Sequence, residues 1–130
     1  KAKIEFEENI LEWGYLKTFS QYAYSLHKAD IIPVTSNQEF FGVSVMEAIY
    51  CGVWPILPER LSYKELFSDA NYKNNFYSDD SLFYEKIKLS ILNIKAIRKK
   101  SMKNIPEKYD WKNITKEYDE TLEDLAKNIQ

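Results

Sequence analysis

Glu39 and Glu47 stand eight residues apart in the run Ser36-Asn37-Gln38-Glu39-Phe40-Phe41-Gly42-Val43-Ser44-Val45-Met46-Glu47-Ala48-Ile49-Tyr50-Cys51-Gly52. They are the chain's best candidates for chemistry. A carboxylate accepts hydrogen bonds and donates none, so two of them do not hold phosphates, but they can hold vicinal hydroxyls. Between them, Gly42 marks the entrance of a helix expected over residues 42–51. A helix N-terminus offers unpaired backbone N–H groups and a positive partial charge, which suit a diphosphate. Glu39 ahead of the helix and Glu47 inside it would then take hydroxyls on either side of a diphosphate. A sugar diphosphonucleoside has that order: sugar, diphosphate, ribose. The plainer alternative is a Glu47 favoured by the helix dipole and a Glu39 solvated in its loop.

The expected helix is apolar around nearly its whole circumference, which implies that it is sandwiched. At about 100° per residue, Glu47 falls beside Val43 and Tyr50 rather than on a polar face. A carboxylate so placed needs a hydrogen-bonding partner, and a ligand is one candidate.

The elements around this run alternate. Residues 10–16 read as a short strand ending in a turn at Gly14. Ser20 is the expected cap of a helix with the apolar stripe Phe19, Tyr22, Ala23, Leu26 and Ala29. Residues 31–34 and 53–58 read as strands, each containing a proline (Pro33, Pro55) that cannot donate to a ladder. Gly52 stops the central helix. A short helix over residues 62–67 and a last brief strand over residues 74–77 follow. Ser78, Asp79 or Asp80 caps a long helix carrying Phe83, Ile87, Ile91, Ile94 and Ile97, whose basic end 98–100 suits the helix dipole. A final helix from Trp111 aligns Ile114, Tyr118, Leu122, Leu125 and Ile129. This order predicts an α/β fold with a parallel sheet of about four strands flanked by helices. In such a sheet ligands bind beyond the carboxyl ends of the strands, where the loops after residues 34 and 58 would converge.

Composition removes other classes. The chain has 130 residues, a formal charge of −2, 45% hydrophobic and 15% aromatic residues. That is one domain or part of one, with no electrostatic reason for non-specific binding to nucleic acid or membranes. A single cysteine, Cys51, forms no internal disulfide, and its apolar helix makes it a small core residue rather than a nucleophile. A single histidine, His27, builds neither a metal cluster nor a Ser-His-Asp triad. No run approaches the roughly 20 apolar residues of a membrane span, and the expected compartment is the cytoplasm.

The run from Glu39 through Glu47-Ala48, then Gly52 and Pro55, resembles the E-x7-E motif of retaining family-4 glycosyltransferases with the two-Rossmann-domain (GT-B) fold. Trp13-Gly14-Tyr15-Leu16, Ala29-Asp30-Ile31-Ile32, the Glu39 to Gly52 run and Tyr63-Lys64-Glu65-Leu66-Phe67 are similar to the tRNA-queuosine mannosyltransferase group (glycosyltransferase-like domain-containing proteins). The resemblance covers roughly residues 11–67. It implies that residues 1–130 are an incomplete donor-binding domain, a partial Rossmann-like sheet from the C-terminal half of a GT-B fold. Glu39 would contact the donor sugar as the catalytic residue, Gly42 and Val43 would present N–H groups to the diphosphate and sugar, and Glu47 would bind the ribose. Ser36, Asn37, Gln38, Phe40 and Phe41 would line the same cleft, and the loop near Leu61 and Ser62 would lie by the nucleotide.

The implied donor is GDP-mannose, with no cofactor and no metal, and the implied acceptor is a queuosine tRNA held by an N-terminal domain. UDP-glucose or UDP-N-acetylglucosamine, or a non-catalytic interaction module, are the alternatives. The chain departs from the family in lacking the two strands and the Arg/Lys loop that would grip the diphosphate. Arg60 and Lys64 do not match that pair in spacing and read as surface charges. The chain is therefore expected to be a fragment, inactive alone, with two absent strands between those at residues 10–16 and 31–34.

Overall fold

The computed structural model describes residues 1–60, 62–67 and 70–128. In chain order the regular elements are α1 (Ala2–Glu5), α2 (Phe19–Lys28), β1 (Ile31–Pro33), α3 (Val43–Tyr50), β2 (Trp54–Pro58), α4 (Tyr63–Leu66), β3 (Phe76–Tyr77), α5 (Asp80–Leu92), α6 (Ile94–Ile97), α7 (Asn104–Glu107) and α8 (Trp111–Asn128), with short 3-10 turns at Glu7–Asn9 and Ala70–Asn75. The strands form one parallel sheet in the order β1-β2-β3, so the α/β class and the parallel connections are as expected.

The sheet has three described strands, not four. Residues 10–16 form bends rather than a strand. Leu11 and Tyr15 are fully exposed, and Trp13 is more than half exposed. A strand exists through its ladder partners, and none lies beside this segment among the described residues. The edge of β1 away from β2 accordingly has no partner strand among the described residues.

Pro33 and Pro55 fit their strands for reasons of direction and register. Trp54 N–H donates to Asp30 O and Val34 N–H to Ile56 O, both at 2.9 Å. Even-numbered β1 residues therefore face β2, and the ring nitrogen of Pro33 faces the open edge, where no bond is lost. Pro55 lies before β3 begins, and the buried Asn75 side chain donates from Nδ2 to the Pro55 carbonyl at 2.8 Å. A side chain takes over there from a missing rung of ladder.

β2 is the central strand, buried on both faces from Pro55 to Pro58. α3 packs on it and on α7, and the core gathers Val34, Val45, Met46, Ile49, Leu57, Tyr63, Leu66, Phe67, Met102 and Ile105. α2 starts earlier than expected: Thr18 is its cap, with Oγ1 accepting from Gln21 N–H at 3.2 Å, and Ser20 lies inside the helix. Asp79 caps α5, with Oδ1 accepting from Leu82 N–H at 2.9 Å. The long helix expected there is divided at Asn93, whose Nδ2 donates to Leu89 O at 2.8 Å. Its buried face carries Ser90 instead of Ile91, which is exposed. α8 holds its apolar stripe as spaced, but Tyr118, Leu122 and Leu125 remain exposed, and Ile129 lies outside the described residues.

Candidate functional site

The entrance of α3 is built on a glycine that must be one. Gly42 adopts φ 81° and ψ 43°, the left-handed region where an L side chain is strained. A Cβ at this position would sit 2.9 Å from Tyr63 Cε1, so the ring of α4 closes directly over the helix start. Glu39 Oε1 accepts from the Gly42 N–H at 3.0 Å and from the Phe40 N–H at 3.1 Å. The carboxylate thus holds the N–H of the N-cap residue, an amide expected to face a diphosphate. Val43 and Ser44 follow in the first turn, where N–H groups have no intrahelical acceptor.

Tyr63 is fully buried, yet its hydroxyl has no hydrogen-bond partner among the described residues. Burial first, and then the charge of Glu39, pushes this phenol's pKa up. The Ser36 hydroxyl pulls the other way without closing a hydrogen bond. Ser36, Glu39 and Gly42 therefore share one neighbourhood under the Tyr63 ring. The two sheet-edge loops do converge: Arg60 donates from Nε and Nη2 to Ser36 O at 3.3 and 3.2 Å, and from Nη2 to Thr35 O at 3.5 Å. Arg60 is exposed but engaged, so it ties the loop after β2 to the loop after β1. Lys64 pairs with Glu59 at 3.1 Å, with both side chains at least half exposed, as a surface charge should.

Glu47 faces a different space. A cavity of about 380 Å³ opens between α2, α3 and the segment after α7, lined among others by Tyr22, Leu26, Phe41, Met46, Glu47 and Tyr109. Val43 and Tyr50 line it too, as helical spacing requires. Glu47 Oε2 accepts from the Tyr22 hydroxyl at 2.7 Å, so the carboxylate has a protein partner 25 residues away. Burial, and then the hydrogen bond to Glu47 and its charge, push the Tyr22 phenol up to about 12. Phe41 meets Tyr109 edge-to-face at 4.9 Å and closes one side. Cys51 is at the rim, 3.7 Å from His27 Nε2, and burial raises its pKa. A raised thiol pKa keeps it protonated and a poor nucleophile.

The expected site residues divide accordingly. Phe41, Val43 and Glu47 line the cavity. Ser36, Glu39 and Gly42 cluster at Tyr63. Asn37, Gln38 and Phe40 are exposed on the connecting loop, and Leu61 lies outside the described residues. Among the described residues no group of three or more His, Cys, Asp or Glu could hold a metal ion. Tyr22, Arg60 and Tyr63 were not expected at the site. Tyr22 carries the helical spacing of a core stripe, and nothing local announces that its hydroxyl reaches another helix.

Residues 2–111 match the model of the family described as glycosyl transferases group 1, and the chain belongs to that family. A narrower likeness is to a Drosophila melanogaster tRNA-queuosine alpha-mannosyltransferase, 37% identical to the chain over 65 residues. That match takes in 50% of this chain and 17% of the length of the relative. No solved structure matches the chain.

Proposed function

We propose that the chain is the donor-binding part of a retaining glycosyltransferase that transfers mannose from GDP-mannose. The observation that carries this reading is that one motif supplies both carboxylates, Glu39 at the entrance of α3 and Glu47 in the cavity between α2 and α3. Glu39 sits on the amides at the start of α3, and Glu47 faces the cavity beside it. Glu39 contacts hydroxyls of the donor sugar and serves as the catalytic residue. The Gly42 and Val43 N–H groups meet the diphosphate, and Glu47 accepts from the ribose. Ser36, Asn37, Gln38, Phe40 and Phe41 form the surrounding loop. A diphosphate competes with Glu39 for the Gly42 N–H, so its arrival frees the carboxylate to turn to the sugar.

The helix dipole and backbone amides stabilise the leaving diphosphate, and no metal or other cofactor is required. The open edge of β1 supports a donor domain whose sheet is extended there by further strands. The acceptor is a queuosine tRNA held by a separate N-terminal domain, which places the enzyme in the cytoplasm. Among the described residues no helix is long and apolar enough to cross a membrane.

Calorimetric titration of the protein at its full natural length with GDP, UDP, GDP-mannose and UDP-glucose tests this. GDP-mannose is expected to bind tightest, and Glu47→Ala is expected to weaken it about tenfold or more, the scale of a lost charged hydrogen bond. A preference for UDP sugars would move the donor to UDP-glucose or UDP-N-acetylglucosamine. No nucleotide binding at all would favour a non-catalytic interaction module. The 130-residue chain alone is expected to transfer no sugar. Turnover by it would show that the site is complete.

A further inference from the structure

We propose that Tyr22 is a positioning residue that fixes one oxygen of Glu47 and thereby sets a preference for ribose over deoxyribose in the bound nucleotide. This rests on the reading of Glu47 as the ribose contact. Tyr22 belongs to α2 and Glu47 to α3, and the hydroxyl-to-carboxylate distance of 2.7 Å is that of a strong O–H···O bond. Both side chains line the same cavity.

A carboxylate has two oxygens with about four acceptor positions. With Oε2 engaged by the phenol, Oε1 remains for a ligand. A glutamate on an apolar helix has three rotatable bonds and, unrestrained, swings between acceptor directions. The phenol removes that freedom, because Tyr22 is half-buried on a helix capped at Thr18. Phe19 flanks its ring at 6.2 Å. A pinned Oε1 distinguishes a diol from a single hydroxyl, since loss of the 2′-hydroxyl leaves an acceptor facing the cavity unpaired. A free carboxylate rotates to the remaining hydroxyl and loses less. Tyr22 acts on selectivity through Glu47 and touches no reacting atom.

The test compares GDP with 2′-deoxy-GDP, and UDP with 2′-deoxy-UDP, on the full-length protein by calorimetry. Wild type is expected to prefer the ribonucleotide about tenfold or more, the scale of one hydrogen bond to a charged group. Glu47→Gln is expected to abolish the preference. Tyr22→Phe is expected to lower it at least about threefold, while affinity for the deoxynucleotide moves less than about twofold. Thermal melts of each variant separate loss of fold from loss of selectivity. If Tyr22→Phe keeps the full preference while Glu47→Gln abolishes it, Tyr22 is only a structural contact and the proposal is overturned. If wild type binds no nucleotide or shows no preference, or Glu47→Gln keeps it, the ribose reading of Glu47 fails and this proposal with it.

Discussion

The ring of Tyr63 lies so close over Gly42 that a methyl group there would meet Cε1 at 2.9 Å. Two penalties meet at this position: a left-handed backbone and a fully buried aromatic ring with nowhere to retreat. Gly42→Ala is expected to destabilise the protein by about 2–3 kcal/mol, combining the left-handed cost with overpacking. Urea unfolding should show a lower midpoint at an unchanged slope. A loss below about 0.5 kcal/mol would mean that the ring moves freely.

Tyr63→Phe separates packing from hydrogen bonding in the same contact. The hydroxyl is buried without a partner among the described residues, so its removal is expected to leave stability unchanged or raise it by about 1 kcal/mol. Chemical denaturation measures this, and a clear loss would show that the hydroxyl is bonded in solution.

Tyr22 gives a prediction in alkali. Its pKa rises from an ordinary 10.0 to about 12, so the folded state holds the phenol proton more tightly than the unfolded state does. Its contribution is fully present below pH 10 and is lost as the pH climbs through 12. Wild type should therefore lose more stability than Tyr22→Phe across that window. Phenolate absorbance should lack one late-titrating group in the variant. Equal alkaline losses would contradict the raised pKa that burial and Glu47 impose on Tyr22.

Asn75 supplies the donor that the Pro55 carbonyl lacks where β3 has not yet begun. Asn75→Ala strips the Pro55 carbonyl of its 2.8 Å donor in a buried setting and leaves a small void. The expected loss is about 2–3 kcal/mol in denaturant unfolding. A neutral result would imply that water replaces the amide.

Arg98 grips Asp30 with Nε and Nη2, both at 2.7 Å, and joins the end of α6 to the start of β1. The hydrogen bond and charge of Arg98 lower the Asp30 pKa from its ordinary 3.8. The stabilisation is present above pH 3.8 and fades as the pH falls through the depressed value. Arg98→Ala should cost little at neutral pH, because the Arg98 side chain is largely exposed and Asp30 partly so, and nothing in strong acid. A double-mutant cycle with Asp30→Ala, repeated at high salt, measures the coupling, and its absence at neutral pH would refute the pairing.

Local signals and tertiary signals parted cleanly in this chain. The helix after Gly42, the strands at residues 31–34 and 53–58 and the Asp79 cap all follow from periodicity, prolines and capping chemistry within a few residues. The strand expected over residues 10–16 does not, because pairing needs a neighbour that sequence spacing cannot supply. The burial of Ser90 depends on how α5 packs against β2 and β3, while the break at Asn93 carries a local bond from its side chain to Leu89 O. At the site, the motif located Glu39, Gly42 and Glu47. The partners of those residues, Tyr22 and Tyr63, lie 25 and 21 positions away from Glu47 and Gly42, beyond the reach of any local pattern.

The open edge of β1 presents the backbone groups on which aggregates grow, yet Pro33 turns its ring nitrogen toward that edge. An incoming strand would find one donor absent from a strand only three residues long. Indefinite stacking of identical edges is thereby disfavoured, while a single designated partner, shaped around the proline, is still accommodated. One residue makes this edge selective.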